Sequence, residues 1–275
     1  MSNTPITLWR KTPLRIRMIG MKYIFGIAEN FLAKIGRTVT HNRLLLATRY
    51  IKGSGIEIGG LGRPLRVPPG ARVLYVDRYS GEELSDNYPN MKTKKIKIIK
   101  PDIVANGETL EVVTDCSQDF VIANHVIEHF QNPILFLKNA NRVLKENGIL
   151  FLAIPDKETN FDRNRDVTQF SHLRDDYLNG PEASKIEHFN DFVSFADMEG
   201  IGSKAWNTED ERASLVSKLI KEDYSIHFHV WDIEAMFEMI SCARSEFGIN
   251  FRIKCFLASG DEAVFILEKM ASARV

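Results

Sequence analysis

The two extended runs that close the chain limit its fold more than any other feature. Asn250 to Leu257 and Ala263 to Glu268 are largely apolar and are separated by a Ser259-Gly260-Asp261 turn. They read as an antiparallel hairpin. Ahead of them the chain alternates strands with helices. Strands are expected at Gly55 to Ile58, Arg72 to Asp77, Lys95 to Asn106 (interrupted by Pro101), Phe120 to Asn124 and Ile149 to Pro155. The last of these, ILFLAIP, is apolar without alternation, as expected of a strand with helices on both faces. Five strands joined by crossovers and then a hairpin predict an α/β fold. Its sheet is doubly wound, mostly parallel and seven-stranded, with a C-terminal antiparallel hairpin.

Helices are expected at residues 14–35 and 38–52, and after the capping box Ser80-Gly-Glu-Glu83. Further ones are expected at Pro133 to Lys145, with Asn147-Gly148 as the stop, and at Ile233 to Phe247 behind Asp232 as N-cap. Residues 156–226 break the alternation and read as a helical cap insertion with two helices. One runs from Pro181 to Met198, and the other follows a capping box of Thr208 and Glu211. The chain thus divides into basic N-terminal helices over residues 1–50 and a main domain over 51–275 that carries the cap.

The 275 residues carry no net charge, which argues against a nucleic-acid partner. The charge is uneven: residues 1–50 hold nine Lys/Arg against one acid, Glu29, a balance of +8 that leaves −8 for the rest. The basic helix over 14–35 suits either packing on the domain or weak contact with an anionic membrane surface. The three cysteines, Cys116, Cys242 and Cys255, are scattered, as in a reducing compartment. The stretch from Met18 to Ala28 is too short to span a bilayer and has no cleavage site after it. A cytoplasmic location is expected, at most peripheral to the membrane's inner face.

Several residue groups carry candidate chemistry. Glu57-Ile-Gly59-Gly60-Leu61-Gly62 follows the first strand. Glycines there let a ligand approach the backbone, although an ordinary turn has the same composition. Asp77 ends the next strand, 20 residues after Glu57. An acid so placed accepts hydrogen bonds from ribose hydroxyls, or else pairs with Arg78. His125-x-x-Glu128-His129 matches the inverted zinc-protease pattern, but it begins where a strand ends rather than inside a helix. His227 and His229 share one face if their segment is extended. They precede a helix, and either can pack or cap there instead. With His172 they are candidate general bases. His172 and the pair could also ligate a metal, but none is expected. Asp156, Asp162 and Asp166 could act on a ligand or pair with Arg163 and Arg165. The cap's aromatic residues could stack on an acceptor or form the cap's own small core.

Three stretches together carry a resemblance: Asp119-Phe-Val-Ile-Ala-Asn-His-Val-Ile-Glu-His129, Asn132-Pro133, and Arg142-Val-Leu-Lys-Glu-Asn-Gly-Ile-Leu-Phe-Leu-Ala-Ile-Pro155. They resemble the core of class I methyltransferases of the ubiquinone-methyltransferase-like group (methyltransferase type 11), and the likeness runs over residues 55–160. Ile56-Glu-Ile-Gly59, Val67-Pro-Pro-Gly-Ala-Arg-Val73, Pro155-Asp-Lys157 and Phe161-Asp-Arg163 further resemble members associated with surface-polysaccharide synthesis.

The resemblance implies an enzyme that uses S-adenosyl-L-methionine. Glu57, Gly59 and Gly60 would lie under the methionine part, Asp77 at the ribose and Asn106 beside the adenine. Asn124 and His125 would line the far side. The reversed last strand fits this class better than a wholly parallel nicotinamide-binding sheet. Leu61 departs from the family by standing where Gly is common. A second departure is that Pro64, Pro68 and Pro69 leave no room for the usual helix after the loop. The implied reaction is O-methylation of a saccharide or sugar precursor. The alternatives are a lipid, quinone or other small-molecule acceptor, or a non-catalytic binding module.

Overall fold

The computed structural model describes residues 39–88, 96–197 and 208–271. The helix expected at 14–35, with most of the basic N-terminus, lies outside the described residues, as do Met198 and Trp206 in the cap. Residues 39–50 form a helix, α1. There follow β1 (Ser54–Ile58), β2 (Arg72–Asp77), α2 (Gly81–Asn87), β3 (Ile103–Val104) and β4 (Gln118–Asn124). Next are α3 (Pro133–Val143) and β5 (Leu144–Pro155), and then the cap helices α4 (Phe170–Asn179), α5 (Lys185–Phe195) and α6 (Glu209–Lys221). The chain closes with α7 (Ile233–Phe247), β6 (Phe251–Ser259) and β7 (Glu262–Lys269).

The seven strands form one sheet in the order β3-β2-β1-β4-β5-β7-β6. The pairings from β3 through β5 are parallel. β7 runs antiparallel to both β5 and β6, so the terminal hairpin is tucked in with its second strand innermost. This is the expected doubly wound α/β sheet.

Both faces of the sheet are covered, as the unbroken apolar strands require. Val121, Ala123, Leu150 and Leu152 face a core shared with α3 and α7. Their neighbours in the chain, Phe120, Ile122, Phe151 and Ala153, face a second core with Leu46 and Ala47 of α1 and with Val264 and Ile266 of β7. The helix over 39–50 is therefore part of the sheet's own packing. Asp232 caps α7, accepting the Ala235 N–H at 2.8 Å, and both expected capping boxes form on α2 and α6.

Four expectations are corrected. β3 has two residues, not the span from Lys95 to Asn106. Pro101 has no N–H to give to a ladder, and Asp102 is used sideways, its carboxylate accepting the Tyr75 N–H at 2.9 Å. α3 ends at Val143, and Asn147-Gly148 is not its stop. Asn147 sits at φ 62 inside β5, where the ladder to β4 slips between Gln118 and Phe120. The cap has three described helices rather than two. α4 escaped notice because its buried positions, Phe170, Leu173 and Asp176, include a charged residue and so blur the apolar period. α5 starts at Lys185 rather than Pro181.

Some of the cap aromatics form a small core of their own, whereas Phe170 and Tyr177 pack into the main core and Phe195 is exposed. Phe189, Phe192 and Phe228 are buried with Val193, Val216, Leu219 and Ile226.

Candidate active site

In an open α/β sheet, ligands bind beyond the carboxyl ends of the strands. β1 ends in Glu57 and Ile58, followed by a turn at Gly59 with φ 66. A Cβ at Gly59 would stand 2.9 Å from Val126 Cγ2, so conformation and space both require glycine there. Leu61 takes φ 38. It thus occupies the left-handed region that a glycine at this position would enter more easily. No helix follows. Between residues 59 and 71 the chain runs as turns and extended segments, as the three prolines dictate. Glu57 Oε1 holds this loop by accepting the Leu65 N–H at 2.8 Å.

Glu57 is 1% exposed. Burial raises its pKa to about 7, against the opposing pull of the Leu65 hydrogen bond, Arg43 and Asn124. Its Oε2, and both polar side-chain atoms of Asn124, are buried without a hydrogen-bond partner of ordinary geometry. β1 and β4 are neighbours, with Ile58 opposite Ala123. The three atoms therefore lie at the same end of adjacent strands; Asn124 is near enough to Glu57 to lower its pKa, and hydrogen-bonding capacity is left over that a ligand can take up.

Asp77 ends β2, half-buried, and its Oδ1 accepts the Tyr79 N–H at 3.2 Å. Burial raises its pKa. Asn106 is exposed just beyond β3, and its Oδ1 accepts the Glu108 N–H at 2.7 Å. His125 follows β4 at φ 52, a strained backbone of the kind that collects at functional sites. Its Nε2 lies 2.7 Å from Glu262 Oε2, and Glu262 also pairs with Arg43. Burial works against the charged imidazole, but the Glu262 hydrogen bond and the Glu128 charge raise its pKa overall. This contact ties α1, β7 and the loop after β4 together.

The segment 226–231 crosses the same end of the sheet. Phe228 N–H donates to Glu128 O at 2.8 Å, and Thr168 N–H to Val230 O at 2.9 Å. His227 and His229, two residues apart, enter two neighbouring groups rather than one. His227 Nδ1 lies 2.6 Å from Asp162 Oδ2. Asp162 is buried with Arg165, whose Nη1 donates to Asp162 Oδ1 at 2.8 Å and to His227 O at 2.9 Å. Burial opposes ionisation of Asp162, but its partners His227 and Arg165 hold its carboxyl below the usual range. The mixed charge run thus resolves partly into pairs, including Arg163 with Asp197. The His129 ring packs edge-on to His227 at 4.7 Å, and Glu128 Oε1 is 4.0 Å from its Nε2.

His229 is fully buried and joins His172, Asp176 and His188. The sequence reading missed His188 and Asp176. The only local signal was the four-residue spacing of His172 and Asp176, which puts both on one helix face.

Residues 59–152 match the family described as methyltransferase domain. An uncharacterized protein of Methanocaldococcus jannaschii is 33% identical over 110 residues, which are 39% of this chain and 47% of that protein. The chain therefore spans about half the length of the curated relative it matches. A Pyrococcus horikoshii protein of known structure aligns at TM-score 0.45 and 16% identity over 86% of this chain and 90% of that one. A SAM-dependent methyltransferase from Methanosarcina mazei aligns at 0.41 and 14%, over 82% and 96%. The family match covers residues 59–152, about a third of the chain, as a likeness to a methyltransferase domain, and the strand order β3-β2-β1-β4-β5-β7-β6 is the one expected for that fold. Among the described residues, no helix is long and apolar enough to cross a membrane.

Proposed function

We propose that this protein is an S-adenosylmethionine-dependent O-methyltransferase acting on a saccharide or sugar precursor. The observation that carries the cofactor half is the set of buried, unpartnered polar atoms on Glu57 and Asn124 beside the left-handed turn at Gly59. Glu57, Gly59, Gly60, Asn124 and His125 would hold the methionine side. Asp77 would take the ribose hydroxyls and Asn106 would stand by the base. The cofactor supplies an electrophilic methyl group on its sulfonium.

The chain's part is to align an acceptor and remove its proton. Alignment alone can contribute roughly 7–11 kcal/mol at the upper end. A hydroxyl acceptor gives its proton to a base, and His227 is the candidate favoured by its contacts. Asp162 accepts its Nδ1–H, which fixes the tautomer with Nε2 free to take the proton, and the same carboxylate steadies the imidazolium that results. Arg165 holds Asp162 in place. His172 and His229 lie in the other group, and His229 is too buried to meet an acceptor.

The saccharide half rests on the resemblance and on a charged cap. A quinone would favour a continuously apolar cover, which residues 156–180 do not offer. Calorimetry with S-adenosylmethionine tests the cofactor, and wild-type protein that fails to bind it overturns the reading. Mass spectrometry of glycans and sugar precursors from cells lacking the protein tests the acceptor. One methylated sugar should vanish. Loss of a methylated lipid, quinone or protein, with every methylated sugar intact, refutes the saccharide proposal. Release of S-adenosylhomocysteine with a cellular acceptor fraction separates an enzyme from a binding module.

A further inference from the structure

The second histidine group has the arrangement of a coordination sphere. α4 supplies His172 and Asp176 one turn apart, α5 supplies His188, and the segment before α7 supplies His229. Asp176, His188 and His229 are 3%, 7% and 0% exposed. Their donors converge. His172 Nε2 lies 3.1 Å from His188 Nε2 and 3.2 Å from Asp176 Oδ2. His188 Nε2 and His229 Nε2 lie 3.7 and 3.8 Å from the same oxygen. All four ligand atoms fall within 4.8 Å of one another. Four ligands at their usual bond lengths around a tetrahedral zinc stand about 3.3–3.5 Å apart, so a contraction of at most about 1.4 Å at the widest pairs, which lie within 4.8 Å, completes the geometry.

Hydrogen bonding alone does not satisfy this group. Two imidazole nitrogens at 3.1 Å share at most one proton. Asp176 Oδ2 is buried and, with His172 Nε2 at 3.2 Å, accepts no hydrogen bond of ordinary geometry, and the converging His229 Nε2 reaches only Gln131 O at 3.4 Å. Orphaned buried polar atoms are rare and call for a partner. A divalent cation lets every converging nitrogen offer a lone pair and neutralises the carboxylate. The outer contacts fit as well. Ser184 Oγ donates to Asp176 Oδ1 at 2.6 Å, leaving Oδ2 for a metal in the way that ligating carboxylates are commonly held.

We propose that His172, Asp176, His188 and His229 form a structural zinc site that clamps the cap to the segment leading into α7. Three imidazoles and one carboxylate are a ligand set that suits zinc. Four protein ligands close the sphere, so the ion stabilises the fold rather than activating water. The clamp holds His229, two residues from His227, and so fixes where that side chain stands. The proposal replaces the expectation of no metal, and it does not depend on the methyltransferase reading because metal content is measured without turnover.

Full-length protein purified with a tag that binds no metal is assayed by plasma mass spectrometry, and about one zinc per chain is expected. Removing it with a chelator should lower Tm, and added Zn²⁺ should restore it. Replacement by Co²⁺ should give the intense visible bands of a tetrahedral site. His188→Ala should abolish zinc binding. Should that variant not fold, Ser184→Ala keeps all four ligands and should weaken zinc binding roughly 10–100-fold by competition with a chromophoric chelator. Wild type that holds no stoichiometric zinc and whose Tm ignores Zn²⁺ overturns the proposal. So does zinc retained in His188→Ala but lost in His129→Ala, which would move the ion to the neighbouring group of Glu128, His129 and His227.

Discussion

The glycine rim and the histidine face lie at the same end of the sheet and are assembled by different means. The rim is made of strand ends: Glu57, Gly59 and Gly60 fall within one turn, and Asp77 ends the adjacent parallel strand. Once the sheet forms, backbone direction alone brings them together. The histidine face is made of side chains from distant segments. His227 meets Asp162 across 65 residues, and His172 of α4 meets His188 of α5 across 16. A site built from backbone inherits its precision from the topology. One built from side chains depends on buried ion pairs, and it should fail more abruptly when one partner is removed.

The largest expected effect falls on the histidine face. His227→Ala should reduce turnover by roughly 10²–10⁴ with S-adenosylmethionine affinity unchanged in calorimetry. An equal loss of cofactor binding would show that the two regions do not divide the work as proposed. Asp162→Ala leaves Arg165 buried with one of its two carboxylate partners. Removing one member of a buried pair typically costs about 3–5 kcal/mol, and the lower end is expected because Asp191 still faces Arg165 Nε at 2.7 Å. Urea unfolding reads this directly, and an unchanged midpoint would make the face as tolerant as the rim.

The rim carries its own signature in pH. The Glu57 carboxyl titrates at about 7 when folded, against 4.5 as its ordinary value. The folded chain therefore holds this proton more tightly than the unfolded chain. Stability from this group is greatest below pH 4.5, falls as the pH rises to about 7, and is flat above that. The whole drop is about 3 kcal/mol at most. Glu57→Gln should remove it, so the variant's urea midpoint should gain on wild type between about pH 5 and pH 8. Parallel profiles for the two proteins would locate the titration elsewhere.

Smaller still, Asp77→Ala should weaken S-adenosylmethionine by an order of magnitude or more, since charge-assisted hydrogen bonds contribute roughly 1.5–3 kcal/mol. Calorimetry showing equal affinity would remove Asp77 from the site. Least of all, Asp232→Ala removes the N-cap of α7 and should lower stability by about 1 kcal/mol with no change in cofactor affinity. A cofactor effect there would mean that α7 transmits to the rim.

The sheet, its parallel strands, the terminal hairpin, the capping boxes and the Asp232 cap were all legible in the sequence. Each is written in neighbouring residues: an apolar run, a turn dipeptide, or a capping oxygen three residues ahead of the N–H it accepts. The proline-bound crossover without a helix was legible for the same reason, because the restriction is covalent. Only tertiary structure decided the rest. β3 shrank to two residues because Pro101 and the Asp102–Tyr75 contact divert the chain, and Asn147 was absorbed into β5 because the ladder to β4 tolerates a slip there. The partition of His227 and His229 between two groups could not be read from their spacing. A two-residue separation fixes which face of an extended segment a side chain leaves from. What it then meets is set by Asp162, Asp176 and His188, which lie well before it in the chain and reach it only in the folded structure.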